Sequence, residues 1–212
     1  MTSRTPLMIA LSGSGSNCGK TSLVCALIEA LRGEHTVAAL KVSTSTPDHR
    51  CGRTGLLCDC LKFDGQMRVL KEKEYTDRPG KDTLRMGQSG ASPVWWMQTT
   101  SDFSVEAARH TLDDAPVADL WIVEGGAFVR EEMADIGIAM CRLGDDEAAA
   151  KVGFSAAVAK AHFQVRSHKK SDDGDDKPPS SEPGVIVFDP EGGEVPGPLL
   201  SHVRHALASH NP

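Results

Sequence analysis

The sequence predicts a three-layer α/β fold, a mostly parallel sheet with helices on both faces. Three observations lead there. The runs "PLMIALSG" (6–13), "TVAALKV" (36–42) and "ADLWIVEGG" (118–126) have the unbroken apolar character of strands buried on both sides. Helix-length segments separate the strand candidates, which favours parallel pairing. The first two runs are joined by a Gly-rich turn and an apolar-periodic segment, which makes a βαβ unit.

Taken in order, the first strand ends in Ser12 and Gly13. From Gly19 to Leu31, the apolar Leu23, Val24, Leu27, Ile28 and Leu31 recur at helical spacing, and Gly33 stops the helix. The second strand follows at 36–42. Residues 43–80 are polar, cysteine-bearing and weakly periodic, and read as an insertion at the strand ends. "DTLRMGQSGA" (82–91) predicts a short helix ending at Gly90, "SPVWWMQT" a third strand and "SVEAARHTL" a helix. The run 118–126 is a fourth strand and "ADIGIAMCRL" a fifth. Between Asp145 and Arg166 the pattern is ambiguous, with 152–158 open to strand or helix. Residues 167–184 are charged and rich in Pro and Ser, and predict a flexible acidic loop. "VIVFD" (185–189) returns to strand character, and "PLLSHVRHALASH" closes the chain as an amphipathic helix, with His202 and His205 on its polar face. Trp95 and Trp96, adjacent in a strand, face opposite ways.

With 212 residues, 40% of them apolar, we read 1–212 as one domain. A net charge of −6 and the lack of a long basic stretch argue against a broad nucleic-acid surface. No apolar run approaches the ~20 residues that span a bilayer. The N-terminal run reads as a strand rather than a leader, so a cytoplasmic protein is expected.

The turn "LSGSGSNCGKTSL" (11–23) follows a strand and opens a helix, the context that a phosphate-binding loop requires. Ser14 stands where the usual pattern has its first Gly, with Gly13 and Gly15 beside it. Main-chain amides of Gly15, Ser16, Asn17, Cys18, Gly19, Lys20, Thr21 and Ser22 are the candidate phosphate donors, aided by the helix dipole. Lys20 is expected to reach the β- and γ-phosphates and Thr21 to ligate Mg²⁺. The ion needs a carboxylate at the end of a neighbouring strand. Glu124 ends its strand on the side of the turn, whereas Asp119 begins it on the opposite edge. Gly125 and Gly126 would allow a close approach to phosphate. No Asn/Thr-Lys-x-Asp segment selects guanine, so ATP and GTP both stand.

Three segments together resemble a known family. "SGSNCGKTSL", "PGKDTLRMGQSGA" (79–91) and "ADLWIVEGGAF" (118–128) are similar in order and spacing to the molybdopterin-guanine dinucleotide biosynthesis protein B (MobB) family of P-loop proteins. Lys41 matches that family's Lys after the second strand. Lys81, Asp82, Thr83 and Arg85 match its middle segment, and Glu124 with Gly125 its Val-Glu-Gly strand end. The resemblance implies a P-loop NTPase fold, GTP as the usual ligand, a homodimer, and a role beside a cofactor-biosynthesis protein in molybdenum-cofactor assembly. It also implies that Asp82 is a second acidic group near the γ-phosphate. Lys41 and Arg85 are further candidates for contact with phosphate.

"DHRCGRTGLLCDC" (48–60) gathers His49, Cys51, Cys58 and Cys60, a candidate Zn²⁺ set of three thiolates and an imidazole. A Cys58–Cys60 redox pair and ordinary reduced thiols are the alternatives. The functional expectation is a slow NTPase that assists cofactor biosynthesis, with Lys20, Asp82 and Glu124 as catalytic candidates. A small-molecule kinase or ATP-dependent ligase, and a metal-handling GTPase, are the rivals.

Overall fold

The computed structural model describes residues 5–45, 67–100, 105–113, 115–143, 153–168 and 184–210. Eight strands among them form one sheet. In chain order they are β1 (Leu7–Gly13), β2 (Val37–Ser45), β3 (Met67–Leu70), β4 (Val94–Thr100), β5 (Leu120–Glu124), β6 (Ile136–Arg142), β7 (Phe163–Ser167) and β8 (Val185–Phe188). The helices are α1 (Lys20–Leu31), α2 (Lys73–Thr76), α3 (Asp82–Gln88), α4 (Val105–Asp113), α5 (Gly126–Arg130), α6 (Phe154–Lys160) and α7 (Gly197–His210). The sheet order is β3-β4-β2-β5-β1-β6-β7-β8. Every pairing is parallel except β3 with β4.

Two apolar layers hold the sheet between helices. Alternation along β1 sends Leu7, Ile9 and Leu11 to one face, where they meet α1, Met86 of α3, and Leu199, Val203 and Leu207 of α7. Ala10 of β1 turns to the other face, with Leu40, Met97, Trp121 and Val123, against Ala108 of α4, Phe128 and Val129 of α5, and Ala157 of α6. The expected α/β architecture with a mostly parallel sheet is therefore present. Burial on both faces is why the central strands read as unbroken apolar runs.

The connections fix where a ligand can sit. From β1 the chain builds β2 and β4 on one side, then crosses over to lay β6, β7 and β8 on the other. Neighbouring strand ends therefore part company around β1, and such a switch point leaves a crevice at the carboxyl ends of the strands. The β1–α1 turn opens there.

Several boundaries differ from the sequence reading. Residues 43–80 are not wholly an insertion: 43–45 extend β2, and β3 and α2 lie within it. β3 is a four-residue, half-buried antiparallel edge strand, too short for a period to register. The ambiguous stretch resolves into α6 and β7, with Gly153 (φ 83°) preceding the helix. The strand at 118–126 stops at Glu124, because Gly126 starts α5. The short helix ends at Gln88, and Gly90 takes φ 111° just beyond it. The cluster His49, Cys51, Cys58 and Cys60 lies outside the described residues, as does most of the acidic loop 167–184. No described helix is long and apolar enough to cross a membrane.

Trp121 packs its ring 5.1 Å from that of Trp95 and is fully buried. Trp121→Ala should cost about 3–5 kcal/mol, as large-to-small core changes do. Replacing Val117, which is 86% exposed, with Ser should stay within about 0.5 kcal/mol. Urea unfolding followed by circular dichroism checks both.

Candidate functional site

The turn between β1 and α1 is shaped by where its left-handed residues fall. Asn17 (φ 61°) and Gly19 (φ 83°) take positive φ, and Ser14 does not. Asparagine is one of the few side chains that tolerate this region, and glycine enters it freely. Ser14 instead continues the strand: its N–H donates to the Met140 carbonyl at 2.9 Å. Its hydroxyl is buried without a hydrogen-bond partner among the described residues. Serine at this position is thus compatible with the turn, because the tight geometry is displaced toward Asn17 and Gly19. Among the described residues, no acceptor is found for the main-chain amides from Gly15 to Ser22. For the first turn of α1 this follows from helix geometry, which leaves the leading N–H groups without intrahelical partners.

Lys20 folds back over the turn. Its Nζ donates to the Gly15 carbonyl at 2.6 Å and to Cys18 Sγ at 3.1 Å. A Cβ on Gly13 would fall 2.5 Å from that Nζ and 2.6 Å from Cys18 Sγ, so a side chain there would displace the lysine from this position. Cys18 is buried beneath the turn, and Ser16 and Asn17 are exposed at its tip.

Glu124 ends β5 beside β1 and β2, in register with Leu11 and Lys41. The residue is 3% exposed, and its carboxylate is engaged on both oxygens. Thr21, in the first turn of α1, donates its hydroxyl to Oε2 at 2.9 Å. Lys41 Nζ donates to Oε1. The same ammonium lies 2.8 Å from Asp82 Oδ2, at the start of α3. Arg85, one turn along α3, donates to Ser22 Oγ at 3.3 Å. Side chains of α1, β2, α3 and β5 are thus joined at one place: Thr21 to Glu124, Glu124 to Lys41, Lys41 to Asp82, and Arg85 to Ser22, with Lys20 in the same turn of α1.

Charge pairing sets the protonation of this group. Burial pulls Lys41 toward the neutral amine, but Glu124 and Asp82 outweigh it and hold the ammonium above the usual lysine value. Partial burial opposes ionisation of Asp82. Lys41 and then Arg85 overcome it and keep the carboxyl below its ordinary range.

Gly125 and Gly126 also meet a packing requirement. A Cβ on Gly125 would sit 2.7 Å from the Val42 side chain, and one on Gly126 2.9 Å from Ser12 Oγ. Both glycines let the β5–α5 turn pack against β2 and β1. Asp119 lies at the other end of β5, as its place in the strand predicted, accepting from the N–H and hydroxyl of Thr36 at 2.8 Å each. His202 stacks edge-on against Phe163. Among the described residues, no group of three or more His, Cys, Asp or Glu is gathered to hold a metal.

One feature of the crevice escaped the sequence reading. Beyond Lys41 on the same sheet face, Ser43 of β2 stands in register with Gln98 of β4, and Gln98 with Arg68 of β3. Ser43 Oγ accepts from Trp96 Nε1 at 3.0 Å, and Gln98, wholly buried, accepts from Arg68 Nε at 2.5 Å. The signal was present: a glutamine following the apolar run "VWWM" in a buried strand.

Comparison with known proteins finds no family model and no curated protein that matches this chain.

Removing Lys41 would leave Glu124 and Asp82 without the ammonium that both contact. Lys41→Met should cost about 2–3 kcal/mol in urea unfolding, less than the ~3–5 of a fully buried pair because Asp82 is partly exposed. The acid limb has a definite sign. Asp82 carries a depressed folded pKa, so its contribution is present above the ordinary carboxylate range and is lost as pH falls through the folded value. Asp82→Asn should flatten the fall in urea midpoint below about pH 4 and leave the slope between pH 6 and 8, as estimated from ordinary pKa values, unchanged.

Proposed function

We propose that this chain binds a nucleoside triphosphate with Mg²⁺ at the β1–α1 turn, as a P-loop NTPase, and hydrolyses it slowly. The observation that carries the reading is the hydrogen bond from Thr21 to Glu124. It joins the hydroxyl of the Gly-Lys-Thr sequence to the strand-end carboxylate, the two protein groups that a phosphate-bound Mg²⁺ uses in such sites.

The donor chemistry fits that ion. Mg²⁺ takes hard oxygen ligands, commonly one or two carboxylates, with water and phosphate completing the octahedron. Thr21 and Glu124 would hold it, and Asp82 lies within reach of the same ammonium. When bound, the ion neutralises charge on the transferred phosphoryl group. The amides of Gly15 to Ser22 cradle the phosphates, and Lys20 exchanges the Gly15 carbonyl for a phosphate oxygen. Lys20, Lys41 and Arg85 outnumber Glu124 and Asp82 by one charge, a balance that suits a polyanion. No general base stands out among these residues, consistent with slow turnover.

By the resemblance to the MobB family, the role we infer is assistance to molybdenum-cofactor or related cofactor biosynthesis, with GTP or ATP as ligand. The Ser43–Gln98–Arg68 row, of which Gln98 is buried and Ser43 and Arg68 are half-buried, favours a second reading, small-molecule kinase or ligase activity, because it puts polar groups on the sheet face beyond Lys41. Products separate the two: inorganic phosphate alone supports the first, and a phosphorylated or ligated acceptor the second.

Calorimetric titration with Mg-ATP and Mg-GTP tests the site. Lys20→Ala should weaken binding by roughly a hundredfold, the scale of about 2.7 kcal/mol. Thr21→Val should lessen the Mg²⁺ dependence of what binding remains. Wild-type affinity in Lys20→Ala would remove the assignment.

A further inference from the structure

The ammonium of Lys41 sits where a divalent cation has most to gain. It bridges Glu124 Oε1 and Asp82 Oδ2, and Glu124 Oε2 is the acceptor of the Thr21 hydroxyl. Three oxygen-bearing groups from α1, β5 and α3 thus converge around one positive charge, which belongs to the chain itself. Two of these groups are carboxylates that the Lys41 ammonium bonds together, while Arg85 also favours the ionised form of Asp82. Lys20 bonds the Gly15 carbonyl, and Arg85 bonds Ser22.

We propose that Lys41 is a tethered counter-ion that exchanges with the divalent cation: its ammonium neutralises Glu124 and Asp82 until a metal–nucleotide arrives, and so suppresses binding of bare metal. This deepens the proposed nucleotide reading and rests on it for the identity of the arriving ligand. The physical reason is competition for the same negative charge. Two carboxylates at close range attract a dication strongly, but an ammonium already between them cancels most of that field. A metal bound to a triphosphate brings further attractions, to the amides of the turn and to Lys20, that bare metal lacks. The protein therefore discriminates metal–nucleotide from metal alone. The displaced ammonium, on a flexible four-carbon stem in β2, remains close enough to meet the negative charge of the incoming phosphates.

The test is a nucleotide-free titration with Mn²⁺ as the probe, read from the loss of the free-ion electron paramagnetic resonance signal. Lys41→Met should bind Mn²⁺ at least roughly tenfold more tightly than wild type, since a whole charge is removed from between the carboxylates. Lys41→Arg should stay as weak as wild type. Adding Glu124→Gln to Lys41→Met should abolish the gain. Where Lys41→Met does not fold, Lys41→Gln carries the same titration, and Mn²⁺ should raise its unfolding temperature more than that of wild type. Equal Mn²⁺ affinity in wild type and the Lys41 variants, or a gain that survives Glu124→Gln, overturns the exchange. Failure of wild type to bind Mg-ATP or Mg-GTP overturns the nucleotide reading instead, and is seen in a separate titration.

Discussion

A carboxylate buried as deeply as that of Glu124 is tolerable only if both of its oxygens are occupied. One receives the Thr21 hydroxyl and the other the Lys41 ammonium. That requirement ties the start of α1 to the end of β5 and the middle of β2, and Lys41 extends the tie to α3 through Asp82. Four elements far apart in the chain are held at one point. Each of them is anchored beneath the crevice by apolar residues: Leu23 and Leu27 of α1, Ile122 of β5, Ala39 of β2 and Met86 of α3. Packing supplies the stiffness, and the polar contacts supply the register at the strand ends.

The glycines of the crevice serve the same end. Gly13 leaves passage for Lys20, and Gly125 and Gly126 bring the β5–α5 turn against Val42 and Ser12. Side chains at these positions would push the turn, the lysine and the carboxylate apart. The bare backbone at these glycines packs directly on neighbouring side chains.

Much of this was legible in the residues. Strands buried on both faces advertise themselves by continuous apolar runs, and β1, β2, β5 and β6 were found that way. Lys20 and Thr21 were found from Gly-Lys-Thr in a turn that follows a strand and opens a helix, and Glu124 from the rule that sites gather at the carboxyl ends of parallel strands. Asp82, Lys41 and Arg85 entered through the resemblance of whole segments, since nothing in their local pattern distinguishes them from solvated charges. β3 stayed hidden because four half-buried residues have no detectable period and owe their structure to β4. α5 stayed hidden because its five residues continue a strand-like run across two glycines. The position of Lys20 against Gly15 and Cys18 depends on side-chain rotamers that no one-dimensional pattern carries.

The three tryptophans are distributed unevenly about the crevice. Trp96 stands in register with Lys41, bonds Ser43 and has Lys81 Nζ 5.6 Å from its ring centre. Trp95 and Trp121 lie together on the opposite face of the sheet, away from those charges. Indole emission responds to nearby charge and polarity, so Trp96 is placed to sense the crevice, whereas Trp95 answers to Lys71, whose Nζ lies 4.1 Å from its ring centre. The molecule can therefore report events at its strand ends without a label.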